Sequence, residues 1–448
     1  MTTTERAHRD PLVVAGPTPL VAIGVGLGAA GISLLRLWSG NHDALTQVIW
    51  AEDGVFPLCV QKADFLTCLV DPFAGYLLAL PRLVAGLVAL LPVDQWALAT
   101  NLIAAALAGL TAAFAFAIVR RFGLGWVSAI LIGLLPVIVP VVGFEAINAI
   151  GSSYMLLLYV STLALAFPIR HERPHWPSGV AIAALLLLTT LTIPTAGVLL
   201  AVVLVQALRR AVPWRVAIVW LSVIVVGLGA QWLTALNAEK PRVIDVTRES
   251  FDAWVAAVPD TILTYWPGMR LADYDFFGVF PVTPLAITGA IITLAIVIGG
   301  IVLIVLGGDE RVGIGLLLLT GIVVGAVPAV IGGNNNRYFV VPLLLWGAAA
   351  LVALDSLIRR SRWWMVTIAG VIVFVVWWPS IPASWFRTTP APPWQEEVTR
   401  VVNSCATDPA RQERIIFTPY WPPDWGDALA EPTHPNLPCL VVWSWGHE

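Results

Sequence analysis

Apolar residues run through this chain in blocks close to the roughly 20 residues that carry a helix across the hydrocarbon core of a bilayer, and polar residues collect between them. The first block covers 17–38, behind a polar stretch holding Arg6 and Arg9. It is longer than the apolar core of a signal peptide and reads as an uncleaved first helix with a cytoplasmic N-terminus. Further blocks occupy 96–119, 125–143, 147–168, 178–193, 195–208, 214–236, 281–306, 313–331, 338–357 and 363–379, which makes eleven expected spans. Thr192-Ile193-Pro194-Thr195 separates two short blocks and reads as the turn of a helical hairpin.

Residues 75–92 are also apolar but contain Pro81 and Arg82. If this stretch spanned, every later loop would change sides, and the positive-inside rule decides against that. With 75–92 lying on or dipping into the outer face, the inside segments hold 13 basic residues, among them Arg120, Arg121, Arg209, Arg210, Arg311 and Arg359, against six acids, a net of +7. The remainder carries 12 basic and 22 acidic residues, a net of −10. The expected fold is therefore all-α and polytopic: a transmembrane domain over 1–379, outer loops at 39–95 (with interfacial helices) and 237–280, and a small extracytoplasmic C-terminal region over 380–448. The expected location is the cytoplasmic membrane, with the C-terminus outside.

Composition agrees. Charged residues make up 12% and hydrophobic ones 58% of the 448, where soluble domains carry about 25% charge. That excludes a cytosolic enzyme, a disordered chain and a nucleic-acid binder, which the net charge of −3 would also repel from phosphate. The lipid bilayer is the first partner. Cys59, Cys68, Cys405 and Cys439 all fall on the expected outer, oxidising side, and pair most simply as 59–68 and 405–439.

Two motif matches carry no chemistry. Gly26-Leu27-Gly28-Ala29-Ala30-Gly31 has the spacing of a dinucleotide fingerprint but sits inside the first span, where small residues serve close helix packing. His171-Glu172-Arg173-Pro174-His175 has metalloprotease spacing, but Pro174 breaks the helix that would align the histidines. The chain has no Walker A pattern, no G-x-S-x-G and no clear internal repeat.

The candidate chemistry lies where ionisable groups meet apolar helix ends. Glu52-Asp53-Gly54 pairs two carboxylates, whose mutual repulsion would raise one pKa toward that of a general base; the plainer reading is an acidic turn. Tyr76 and Arg82 put an aromatic and a cation at the interface, where Arg82 either holds a lipid phosphate or snorkels. Glu145 with Asn148 and Tyr154 occupies a turn too short to need a carboxylate for solubility, though a helix cap would also explain it. Asn334-Asn335-Asn336-Arg337-Tyr338 presents amides, a guanidinium and a phenol at another turn.

This layout resembles the GT-C superfamily of polytopic glycosyltransferases, which use polyprenyl-phosphate-linked sugars. The resemblance covers about 17–379 plus the C-terminal piece, and its motifs are short. It carries over to Glu52, Asp53 and Glu145 as catalytic acids and to Arg337 as the late arginine; Tyr76, Arg82, Asn148, Tyr154, Asn335, Asn336 and Tyr338 are candidate substrate-binding residues by their own place at the expected outer face. The family often carries Asp-Asp or Asp-x-Asp in the first loop; here the pair is Glu-Asp. The implied reaction is inverting transfer from a polyprenyl-phosphate sugar to a glycan, lipid or protein hydroxyl on the outer face. A divalent cation, Mg or Mn, on Asp53 and Glu145 is left open. The rival readings are a lipid-linked glycan polymerase or ligase, a transporter or flippase of lipid-linked sugars, and a structural membrane partner.

Overall fold

The computed structural model describes residues 19–40, 42–50, 52–73, 75–138, 148–168, 176–238, 284–330, 340–358, 392–408, 410–417, 436–439 and 441–442. Within them the chain is helical. In order come α1 (Pro19–Gly40), the short α2 (Ala44–Gln47), α3 (Glu52–Lys62), α4 (Phe65–Val70), α5 (Ala79–Val88), α6 (Trp96–Phe122), α7 (Trp126–Ile138), α8 (Tyr154–Ala166), α9 (Trp176–Thr192), α10 (Val198–Leu208), α11 (Trp214–Asn237), α12 (Pro284–Leu306), α13 (Asp309–Val330), α14 (Val340–Ile358) and α15 (Trp394–Thr407). One antiparallel pair, β1 (Gln412–Arg414) and β2 (Asn436–Pro438), follows.

Among the described residues, four helical stretches are long and apolar enough to cross a membrane: Pro19–Ser39, Val93–Phe122, Trp214–Asn237 and Val340–Ile358. Shorter apolar helices pack among them, and exposed Leu27, Leu110, Val226 and Trp232 give the bundle an apolar exterior. This is the build of a membrane protein.

Packing follows from small residues and reversals. A Cβ on Gly26 would lie 2.9 Å from the Gly109 carbonyl, and one on Gly109 would lie 2.7 Å from that of Gly26. The glycines thus let α1 and α6 touch backbone to backbone, while Gly28 and Gly31 face open space. Gly123, at φ 108°, ends α6: its N–H reaches the Arg120 carbonyl (3.0 Å) and the Leu124 N–H reaches that of Val119 (3.1 Å), a paired cap that needs a left-handed residue.

Contacts define two ends of the bundle. At one end, Asn101 in α6 donates to the Ala44, Leu45 and Val48 carbonyls, and Trp394 donates to the Val93 carbonyl. At the other, the Gly125 amide donates to Asp355, Gln206 donates to the Leu165 and Ala166 carbonyls, and Arg209 donates to those of Ile304 and Gly307. Helices α9 and α11 run in the same direction: Trp220 meets Gly179 near their starts, and Gln231 meets Thr190 further along. Gln206 places the end of α10 beside the end of α8, so the chain reverses at Pro194 as the hairpin reading expects.

The 75–92 stretch forms α5, only ten residues long. The irregular backbone before it is satisfied from inside the bundle. The buried Gln231 amide accepts from the Leu77 N–H (2.9 Å) and donates to the Leu77 carbonyl (3.2 Å), and the Thr192 hydroxyl accepts from the Leu80 N–H (3.1 Å). Non-helical backbone at membrane depth survives only where protein covers it in this way. Leu83, Leu87 and Leu90 remain exposed on the other side of the segment.

Candidate functional site

Near the end of α1, Ser33 and Arg36 stand one helical turn apart on a shared face. The Ser33 hydroxyl donates to the Asn148 side-chain oxygen (3.0 Å), and the Arg36 guanidinium donates to the Val137 carbonyl at the end of α7 (2.8 Å). Asn148 is fully buried and Arg36 nearly so, at 4% exposure. Arg36 went unmarked in the sequence reading, because a lone arginine near a helix end passes for a headgroup contact. Its signal was its register: it lies on the same face as a serine, inside an apolar span.

The first-loop acids arrive from α3. Asp53, in its first turn, is buried at 3% exposure. Its two carboxylate oxygens accept separately, one from the Ile150 N–H (2.9 Å) and one from the Gly151 N–H (2.6 Å). Those donors belong to the turn leading into α8, where the Ser153 hydroxyl folds back on the Ile150 carbonyl (2.6 Å). Asp53 is thus a clamp between the first loop and the turn leading into α8. Glu52 opens α3 beside it.

Tyr76 and Tyr154 come together. Both pack against a cluster of Phe56, Leu78 and Ala85, which Phe73 joins. Arg82 lies against the same cluster with its guanidinium 5.3 Å from the Phe56 ring centre. That guanidinium donates to the Cys68 carbonyl and to Asp71 (3.4 Å), and the residue is buried. Arg82 therefore braces α4 against α5 beside the Cys59–Cys68 disulfide.

The C-terminal piece covers the neighbouring surface. Trp394 stacks between Trp96 (6.3 Å between ring centres) and Phe417 (5.6 Å), and its indole N–H donates to the Val93 carbonyl (2.7 Å). Phe417 lies directly on Gly54. The Cys405–Cys439 bond closes the piece, so both expected disulfides are present. Inside it, the buried Glu397 carboxylate takes two bonds from Arg400 (2.7 and 2.8 Å) and one from the Ile416 N–H (2.9 Å). Hydrogen bonds from the Ser404 hydroxyl, then from Arg400, with the nearby Arg411 charge, hold the Glu413 carboxyl below its ordinary value against an opposing push from burial.

The structure thus joins Asp53, Asn148, Tyr76 and Tyr154 at one end of the bundle and assigns Arg82 a bracing role. Glu145, Asn335, Asn336, Arg337 and Tyr338 lie outside the described residues, as does the Glu52 side chain. Among the described residues no group of three or more His, Cys, Asp or Glu side chains lies together; the cation site expected on Asp53 and Glu145 turns on a residue outside them. Comparison with known proteins found no matching family model and no similar curated protein.

Proposed function

We propose that this protein is a membrane glycosyltransferase of GT-C type that moves a sugar from a polyprenyl-phosphate donor to an acceptor hydroxyl at the outer face of the cytoplasmic membrane, with inversion. The observation that carries the reading is the Asp53 clamp, which ties the first-loop acid pair to the turn following Glu145. The buried Ser33–Asn148 bond and Arg36 lie on the adjoining helix ends.

Because the Asp53 oxygens already accept two N–H groups, Glu52 is the base. Its carboxylate takes the acceptor hydroxyl proton as that oxygen bonds to the anomeric carbon. The bond from that carbon to the phosphate oxygen breaks, and its electron pair leaves with the lipid phosphate. Arg337, and the buried Arg36 behind the site, supply positive charge for that leaving group. Asn148, Tyr76, Tyr154, Asn335, Asn336 and Tyr338 orient the sugars.

The proposed thread has eleven crossings with the arginine-rich loops in the cytoplasm. The alternating helix directions support it, as does the shared end that brings Val93 and Trp394 together, since an even number of crossings must separate those two residues. The test is transfer from polyprenyl-phosphate-linked radiolabelled hexoses in proteoliposomes. Glu52→Gln should lose at least about 100-fold in rate, as expected for a missing general base, and Glu145→Gln should also fall. Full activity in Glu52→Gln, Asp53→Asn and Glu145→Gln together overturns the proposal. A flippase would instead carry the labelled lipid across the bilayer without forming product.

A further inference from the structure

We infer that Phe417, in the C-terminal piece, is a positioning residue for the acid pair: its ring seats on Gly54 and thereby sets the first turn of α3. The contact is close. An added Cβ on Gly54 would fall 2.1 Å from the Phe417 Cε1 atom and 2.4 Å from Cζ, so only glycine leaves room for the ring there. Asp53 precedes that glycine, and its carboxylate holds the Ile150 and Gly151 amides. Ile150 itself packs in the same buried cluster as Phe417, Trp394 and Leu58. The C-terminal piece therefore touches the α3 turn through Gly54 and shares one buried cluster with Ile150 on the other side of the clamp.

Phe417 is in turn held where it is. The N–H of its neighbour Ile416 donates to Glu397 on α15, and Trp394 at the start of α15 stacks on the Phe417 ring while bonding Val93. The Gln395 N–H adds a contact to the Gln47 side chain (3.3 Å). A continuous path of packed groups thus runs from Glu397 through Ile416, Phe417 and Gly54 to Asp53. Any effect on sugar transfer rests on the function proposed above; the positioning does not.

The test uses the full chain in lipid nanodiscs and hydrogen exchange read by mass spectrometry. Phe417→Ala and the milder Phe417→Leu should raise exchange of the Ile150 and Gly151 amides about tenfold or more, a local opening. The amides of the latter half of α8 and of α14 should not change. Gly54→Ala should do the same, and Gly54→Ala/Phe417→Ala should be no worse than Phe417→Ala alone, because the methyl then occupies vacated space. Unchanged exchange at 150–151 overturns the inference. So does a uniform rise in Phe417→Ala that Phe417→Leu fails to turn into a selective one, or strictly additive effects in the double variant. If exchange responds selectively but no donor is ever turned over, the glycosyltransferase reading fails and the positioning stands. If Glu52→Gln abolishes transfer while exchange at 150–151 is indifferent to Phe417, the reverse holds.

Discussion

A carboxylate that accepts a separate backbone N–H on each oxygen has a role no other side chain of its length repeats. At Asp53, an asparagine would present one oxygen to one donor and an NH2 group to the other, setting donor against donor in a site of 3% exposure. Asp53→Asn should therefore cost about 1–3 kcal/mol in holding the 150–151 turn, read as faster exchange of the Gly151 amide, with transfer reduced less than in Glu52→Gln. Equal protection in variant and parent would show that the clamp does not hold the turn. The acid pair was legible from sequence, since two carboxylates beside a glycine after an apolar span stand out. Which of them faces two amides was not, because the donors lie about 100 residues along the chain and are backbone groups of an unremarkable Ile-Gly pair. Arg82 was legible as a cation at an interface, but not its bonds to the carbonyl of a disulfide-bonded cysteine and to an aspartate, which only the fold brings to it.

At the scale of elements, one buried amide holds the backbone that leads into α5. Gln231→Leu would leave both the N–H and the carbonyl of Leu77 without their side-chain partner inside the bundle. Each such group costs about 1–3 kcal/mol, so 73–88 should loosen, read as selective protease cutting or exchange there, while Gln231→Glu keeps the acceptor and loses part of the effect. Undisturbed protection in Gln231→Leu would mean that α5 is held from elsewhere. Pro81 and Arg82 set the stretch apart in the sequence; its anchor was not legible, because one glutamine in a long apolar helix announces no partner 154 residues away. The C-terminal piece carries its own pH dependence. Glu413 has a carboxyl held below its ordinary 4.5, chiefly by the Ser404 hydroxyl and Arg400. That stability is present above pH 4.5 and is lost as the pH falls through the lower folded value. Exchange protection of 394–407, corrected for the intrinsic effect of pH, should hold at pH 6 and weaken progressively once the pH falls below 4.5, and Glu413→Gln should remove the dependence. Protection that is flat down to pH 3 would leave Glu413 without a part in it.

For the whole molecule, the hydrophobic pattern anticipated most helices, because block length and arginine placement are written locally. It did not reach the joining of first loop and C-terminal piece, where Trp394 meets Val93 across 301 residues. That joining makes the topology testable at three points. Lys62 lies at the end of α3, Asn403 on α15 in the C-terminal piece, and Arg121 at the end of α6 beside the turn that bonds Asp355. All four native cysteines are paired, so an introduced thiol reports alone. If the first loop and the C-terminal piece face outward together, Lys62→Cys and Asn403→Cys should react with a membrane-impermeant maleimide on intact cells, and Arg121→Cys only after the membrane is opened. If α6 crosses, as its length and apolar composition allow, its two ends differ. Labelling of Lys62→Cys and Arg121→Cys from the same side would break the eleven-crossing thread and take the outer-face reaction with it. Labelling of Arg121→Cys alone would turn the molecule over, placing Asp53 and the Phe417 contact in the cytoplasm and overturning the outer-face reaction.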